Sequence, residues 1–169
     1  MPAAVTFAGT WLWIDVPLVK QSREGCGAAS LAMVMQYWER QKSSATTDAS
    51  DAGHILAVLH SPEGHGIYAS AMERYLQEHG YQTFAFEGTW NDILNNIAKG
   101  RPLIVALEPG RSTALHYVVV AGADPDRPAV MFNDPAGRKL EKLDRKTFEK
   151  EWAATKHWTL LALPRSDER

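Results

Sequence analysis

Apolar positions along this chain fall into blocks whose spacing is mostly helical before residue 100 and strand-like after it. From Cys26 to about Arg40, the residues Ala28, Ala29, Leu31, Ala32, Met33, Val34, Met35, Tyr37 and Trp38 leave almost no polar side. A helix with that pattern is buried all round. Ala52 to Leu59 reads as a second helix behind a cap at Ser50 or Asp51, and about Tyr68 to His79 as a third, stopped by Gly80. Tyr81 to Phe86 then reads as a strand, and Thr89 caps a fourth helix that reaches Lys99 and stops at Gly100. Beyond it, Arg101 to Leu107, Leu115 to Gly122, Ala129 to Asn133 and His157 to Leu163 are apolar, β-branched or aromatic runs that predict strands. A short helix around Thr147 to Trp152 precedes the last of them, and the polar stretch Gln41 to Ser50 reads as a loop. Helices first and an antiparallel meander second make an α+β layout, with a buried N-terminal helix packed on the sheet.

Candidate chemistry begins at the start of the first helix. Cys26 is the only cysteine, and it stands where Gln21-Ser22-Arg23-Glu24-Gly25 gives way to the apolar run. A thiol there faces the free N–H groups and positive dipole end of the helix, which favour thiolate over thiol. Glycines on both sides are expected to leave the sulfur open to approach. The competing reading is an inert buried cysteine, a common fate of the residue type. A nucleophile needs a base, and His116 opens a strand that a loop from Ala123 to Pro128 joins to another, Ala129 to Asn133. The second strand runs into Asp134-Pro135-Ala136-Gly137, an Asp-Pro-x-Gly turn. A hairpin of this kind brings His116 and Asp134 together, so nucleophile, base and orienting acid occur in the order Cys, His, Asp. Asn133 competes with Asp134 as the third member, since an amide also orients a histidine. Alternation puts Val130, Phe132 and Asp134 on one face and Met131 and Asn133 on the other; which face meets His116 stays open at this level.

With those residues in view, the chain resembles the C39 peptidases and their stand-alone relatives in the papain-like cysteine protease superfamily. The matching pieces are Val16-Pro17-Leu18-Val19-Lys20-Gln21, Cys26-Gly27-Ala28-Ala29-Ser30-Leu31-Ala32-Met33, His116-Tyr117-Val118-Val119-Val120 and Asp134-Pro135-Ala136-Gly137, with a similar tail from Leu143 to Trp152. The resemblance implies a papain-like fold over 1–169 as one domain and a cysteine peptidase with Cys26 as nucleophile and His116 as base. It selects Asp134 as the orienting acid, so that replacing Asn133 is expected to be nearly silent. It also implies Gln21 as oxyanion donor, although Gln21 precedes Cys26 by five positions, one fewer than papain-like enzymes often show. Peptide or protein substrates cut after small residues, often Gly-Gly in a leader or precursor peptide, follow from the same resemblance. So does association with a transporter or an exported partner, and a bacterial location outside the cytoplasm in preference to one inside it. Two other readings keep the fold: an amidase or acyltransferase acting on another acyl group, and a silent substrate-binding module.

Composition narrows the field a little further. At 169 residues the chain is one domain by size, and its formal charge of −2 gives no footprint for nucleic acid or an acidic membrane. No apolar run reaches membrane-spanning length. Met1 to Ile14 has no positive charge and no small-residue cleavage pattern, so it does not read as an intact signal peptide. The P-loop pattern GxxxxGK[ST] is absent, which predicts no ATP-binding domain in this chain. His54, His60 and His65 invite a zinc site, but the six-residue step from His54 to His60 does not suit one helical face. No metal and no cofactor are expected. His79 beside Gly80 reads as a helix-end cation, and His157 as part of the last strand. The six tryptophans read as core or groove lining.

Overall fold

The computed structural model describes residues 6–8, 11–63, 66–110 and 114–166. In chain order the elements are β1 (Thr6–Ala8), β2 (Trp11–Trp13), α1 (Cys26–Gln41), α2 (Ala52–Leu59), α3 (Ala69–Glu78), β3 (Tyr81–Glu87), α4 (Trp90–Ala98), β4 (Leu103–Leu107), β5 (His116–Asp124), β6 (Ala129–Asn133), β7 (Glu141–Asp144), α5 (Arg145–Ala153) and β8 (Trp158–Pro164). A single 3-10 turn, Asp48–Ser50, closes the stretch that the sequence presents as loop. All the strands join one antiparallel sheet. Its main path runs β1-β2-β5-β4-β8-β3, while β6 pairs with the other edge of β5 and β7 with β6.

Local chemistry explains most boundaries. The Asp51 carboxylate accepts from the His54 N–H at 2.9 Å and starts α2, as an N-cap should. Thr89 and Asp92 form a reciprocal capping box at α4. Asp144 accepts from the Thr147 N–H at 2.9 Å to start α5. At the far end of α3, His79 Nδ1 lies 2.7 Å from the Tyr75 carbonyl, the helix-end placement that its sequence position implies.

The α1 helix is as buried as its composition demands: Gly27 to Met35, Tyr37 and Trp38 all lie inside. It packs on β5 and β4 and carries α2 and α3 beside it. Every residue of β4 is buried, as are eight of the nine in β5, so both faces of the central sheet are covered. Phe148 and Trp152 of α5 and Ile93 and Ile97 of α4 are fully enclosed. Tyr37 Oη donates to the Gly100 carbonyl at 2.6 Å, tying the end of α1 to the entry of β4, and burial pushes its pKa up to about 12.

Two features depart from the sequence expectation. A short hairpin, β1-β2, precedes the helices and docks on β5 through Leu12↔Ala123 and Trp13↔Gly122; strands of three residues are too short to show alternation. The other is β7, whose Glu-Lys-Leu-Asp sequence has no strand signature and whose pairing with β6 holds it extended. Between Val120 and Gly122 the β5–β6 register shifts. A Cβ at Gly122 would stand 2.9 Å from the Leu12 carbonyl oxygen and 2.8 Å from Met131 Cε, so only glycine admits β2 and β6 on both sides here.

Asn133 proves to be structural. It is fully buried; its Nδ2 donates to the Val16 carbonyl at 2.9 Å and its Oδ1 accepts from the Leu140 N–H at 3.0 Å. One side chain thus ties the segment before α1 to the segment after the Asp-Pro turn. Asn133→Ala, expected to be nearly silent in catalysis, has a structural cost: it strands the buried Val16 carbonyl and the half-buried Leu140 N–H at roughly 1–3 kcal/mol each. Urea unfolding should show a loss of about 2–4 kcal/mol, and an unchanged midpoint would refute the strut.

Candidate active site

Three elements meet at the site. Cys26 is the first residue of α1 and follows Gly25, whose N–H bonds the Ser22 carbonyl at 2.9 Å in a tight turn. A Cβ at Gly25 would lie 3.0 Å from that same carbonyl oxygen, so the glycine is there for the turn. Gly25 and Gly27 are both buried, and Gly27 packs toward Ile67, Met72 and Tyr117. Turn geometry and packing account for the two glycines, while Cys26 itself keeps partial exposure. Being first in its helix, the Cys26 N–H has no intrahelical acceptor.

His116 is the first residue of β5. Its Nε2 lies 2.7 Å from Asp134 Oδ1, with both side chains about one-fifth exposed. The remaining ring nitrogen, Nδ1, is left for the hydrogen bond that His116 shares with Cys26. Register explains why Asp134 and not Asn133 makes the contact. Asn133 pairs with Val119, so Asp134 follows beside Val118, on the face of β5 that carries His116. The turn then clamps the carboxylate: Ala136 N–H donates to Asp134 Oδ1 at 2.9 Å, and Gly137 N–H to the Asp134 carbonyl at 2.9 Å.

Electrostatics favour charge separation between sulfur and ring. Burial raises the Cys26 pKa, but the hydrogen bond from His116, the Tyr117 N–H, the His116 charge and the Gly27 N–H outweigh it, so the thiol titrates below its ordinary value. Burial likewise opposes the His116 cation, yet its hydrogen bonds to Cys26 and Asp134 and their negative charges raise its pKa from 6.5 to about 9. A thiolate–imidazolium pair is the result. Tyr117 is pushed up to about 12 by burial and by the neighbouring Cys26 charge.

Gln21 is pinned beside the same turn, its backbone N–H donating to the Pro135 carbonyl at 3.0 Å. Its side-chain Oε1 is buried and has no hydrogen-bond partner among the described residues. Sequence reasoning passed over three contributors. The N–H groups of Tyr117 and Gly27 carry no side-chain signature; β6 pairs with β5 only from Val119 onward, which leaves the Tyr117 N–H free for the sulfur. The third is Glu151 of α5, whose carboxyl is raised by burial and by Asp144 and pulled the other way by the His116 charge.

None of the histidines that invited a zinc reading makes a contact with Cys26, His116 or Asp134 among the described residues. His54 is exposed, His60 Nε2 lies 2.9 Å from Glu24 Oε1, and His65 falls outside the described residues. Among the described residues no group of three or more His, Cys, Asp or Glu is placed to hold a metal ion.

Comparison with known proteins bears on the fold and the family. Solved structures that share the fold include the peptidase domain of Streptococcus ComA, described as a bi-functional ABC transporter involved in a quorum sensing pathway. It matches with a TM-score of 0.66 and 19% identity over 89% of this chain and 100% of that one. A double glycine motif protease from an AMS/PCAT transporter, solved with the leader peptide, matches with a TM-score of 0.65 and 20% identity over 89% and 92%. A C39-like peptidase structure from Bacillus anthracis gives 0.64 and 18% over 90% and 96%. In sequence, the transport/processing ATP-binding protein ComA of Streptococcus pneumoniae is 32% identical over 143 residues, which are 84% of this chain. Those residues make up only 18% of the ComA sequence, so the chain spans under a fifth of the length of the curated relatives it matches. The profile of the Peptidase_C39 like family aligns with residues 13–159, a span that includes Gln21, Cys26, His116 and Asp134, and the chain belongs to that family.

Proposed function

We propose that this protein is a cysteine peptidase in which Cys26 is the nucleophile, His116 the general acid and base, and Asp134 the group that orients His116. The observation that carries the reading is the Cys26–His116–Asp134 chain of hydrogen bonds, with a lowered thiol and a raised imidazole at one end of it. The Cys26 thiolate attacks a peptide carbonyl carbon; a C–S bond forms and the carbonyl electrons move onto oxygen. The Cys26 N–H and Gln21 Nε2 receive that oxyanion. As the C–N bond breaks, His116 Nδ1–H protonates the leaving amine, and the neutral ring then takes a proton from the water that hydrolyses the thioester. Asp134 keeps Nε2 protonated and Nδ1 turned to sulfur throughout.

The substrate in this reading is a leader or precursor peptide cut after small residues, by analogy with the double glycine motif protease and its leader peptide. The partner is a transporter or an exported protein, and the working location is outside the bacterial cytoplasm; fractionation of the native host would check the latter. Turnover of Gly-Gly precursor peptides, measured beside cell-wall amides, tests the function. Cleavage of the amides alone would replace it with an amidase, and turnover of neither with a binding module.

Two side chains give graded tests. Gln21→Ala should slow the chemical step by roughly 10²–10³-fold, as loss of one oxyanion donor does elsewhere, and a drop below about threefold would remove Gln21 from the mechanism. Asp134→Asn should lower kcat far more than it raises KM, because the carboxylate holds the base and does not touch the peptide. A change confined to KM would place Asp134 in substrate binding instead.

A further inference from the structure

β3 ends the main path of the sheet, and among the described residues no strand pairs with its outer edge. Its inner edge is paired with β8 along its whole length, from Tyr81↔Pro164 to Glu87↔Trp158. Two flanking bonds, Arg165 N–H to the Gly80 carbonyl at 2.9 Å and Gly88 N–H to the His157 carbonyl at 2.8 Å, fix the direction of every backbone group between them. Residues 80 and 88 bond toward β8, and antiparallel alternation puts Gln82, Phe84 and Phe86 in the same class. Tyr81, Thr83, Ala85 and Glu87 therefore aim their N–H and C=O groups at the open edge.

Natural sheets guard such an edge with proline, lysine, a bulge or an inward charge. Tyr-Gln-Thr-Phe-Ala-Phe-Glu has none of these; its one charge, Glu87, lies at the end. At its centre Phe84 is 41% exposed. The geometry points to a second copy of this chain as the occupant, pairing its own β3 antiparallel to this one with Phe84 on the two-fold axis. In that register Tyr81 meets Glu87 and Thr83 meets Ala85 as hydrogen-bonded pairs, using every open-edge group once. Phe84 faces its twin at a non-hydrogen-bonded position, where side chains come closest. Charge fits as well: the two Glu87 carboxylates stand at opposite ends of the ribbon, about 20 Å apart at ~3.4 Å per residue. A parallel arrangement would set them side by side. The interface is isologous and closes after two copies.

Sedimentation equilibrium from micromolar to millimolar concentration tests the inference. The mass should rise from 18.8 kDa toward twice that value. Phe84→Lys should hold it at one copy, as should Ala85→Pro, which removes an outward N–H that the monomer does not use. If Ala85→Pro fails to fold, Phe84→Lys decides. Register is read separately in a Cys26→Ser background: Phe84→Cys should cross-link to its twin, since Cα atoms about 4.5 Å apart suit a disulfide, while Gln82→Cys should not. A single-copy mass at every concentration, or a dimer indifferent to both Phe84→Lys and Ala85→Pro, overturns the proposal; so does a stronger cross-link with Gln82→Cys than with Phe84→Cys.

Discussion

Cys26→Ala is expected to lower peptide hydrolysis by about 10⁴-fold or more, the scale on which removal of a triad nucleophile acts. Without the sulfur there is no atom to form the acyl-enzyme, and His116 and Asp134 have no partner to serve. The fold should survive, because Cys26 opens its helix at the edge of the core while residues 27 to 35 carry the packing. Circular dichroism and thermal melting should therefore match the parent protein as turnover vanishes. Retention of full activity in Cys26→Ala would end the peptidase reading.

The second large effect is on the reactivity of the thiol itself. Thiolate exists above the lowered Cys26 pKa, and imidazolium persists up to about 9. The ion pair therefore occupies the window between those two values, and it disappears by protonation of sulfur on the acid side and deprotonation of His116 on the alkaline side. Iodoacetamide should begin to alkylate Cys26 at a lower pH than it does an ordinary thiol. His116→Ala removes the hydrogen bond and the positive charge together and leaves burial opposed only by the Tyr117 and Gly27 N–H groups. Alkylation of that variant should begin at distinctly higher pH, with the rate near pH 6 down by roughly tenfold for each unit of displacement. Because no other cysteine exists, intact mass reports the site without ambiguity. Superimposable profiles for the two proteins, both rising near pH ~8.5, would mean an ordinary thiol and favour a binding module.

How legible this was depended on whether the information lay in side chains or in the ladder. The α1 helix announces itself because eleven buried positions in sixteen residues leave no polar face. The capped helices α2, α4 and α5 carry their start signals within three residues. The hairpin that joins His116 to Asp134 was readable from two β-branched runs and a turn. The choice between Asp134 and Asn133 was not. It depends on where β6 meets β5, Asn133 against Val119, and pairing register is not written in either strand alone. The same limit hid β7, an extended Glu-Lys-Leu-Asp held by its neighbour, and the backbone donors to Cys26, which every non-proline residue possesses. Gly25 was read for openness, while the structure uses it for a turn in which a side chain would strike the Ser22 carbonyl.

Cys26 and His116 stand ninety positions apart in the chain, and only the docking of α1 against β5 brings them together. Before that docking the sulfur has no imidazole and no Tyr117 N–H. An emerging or partly folded chain thus carries an ordinary, mostly protonated thiol at neutral pH. The pairing of Cys26 with His116 depends on the long-range contact between α1 and β5. The same coupling makes Cys26 an internal gauge of native structure: its alkylation rate at mildly acidic pH counts folded molecules, one label per chain, in any mixture.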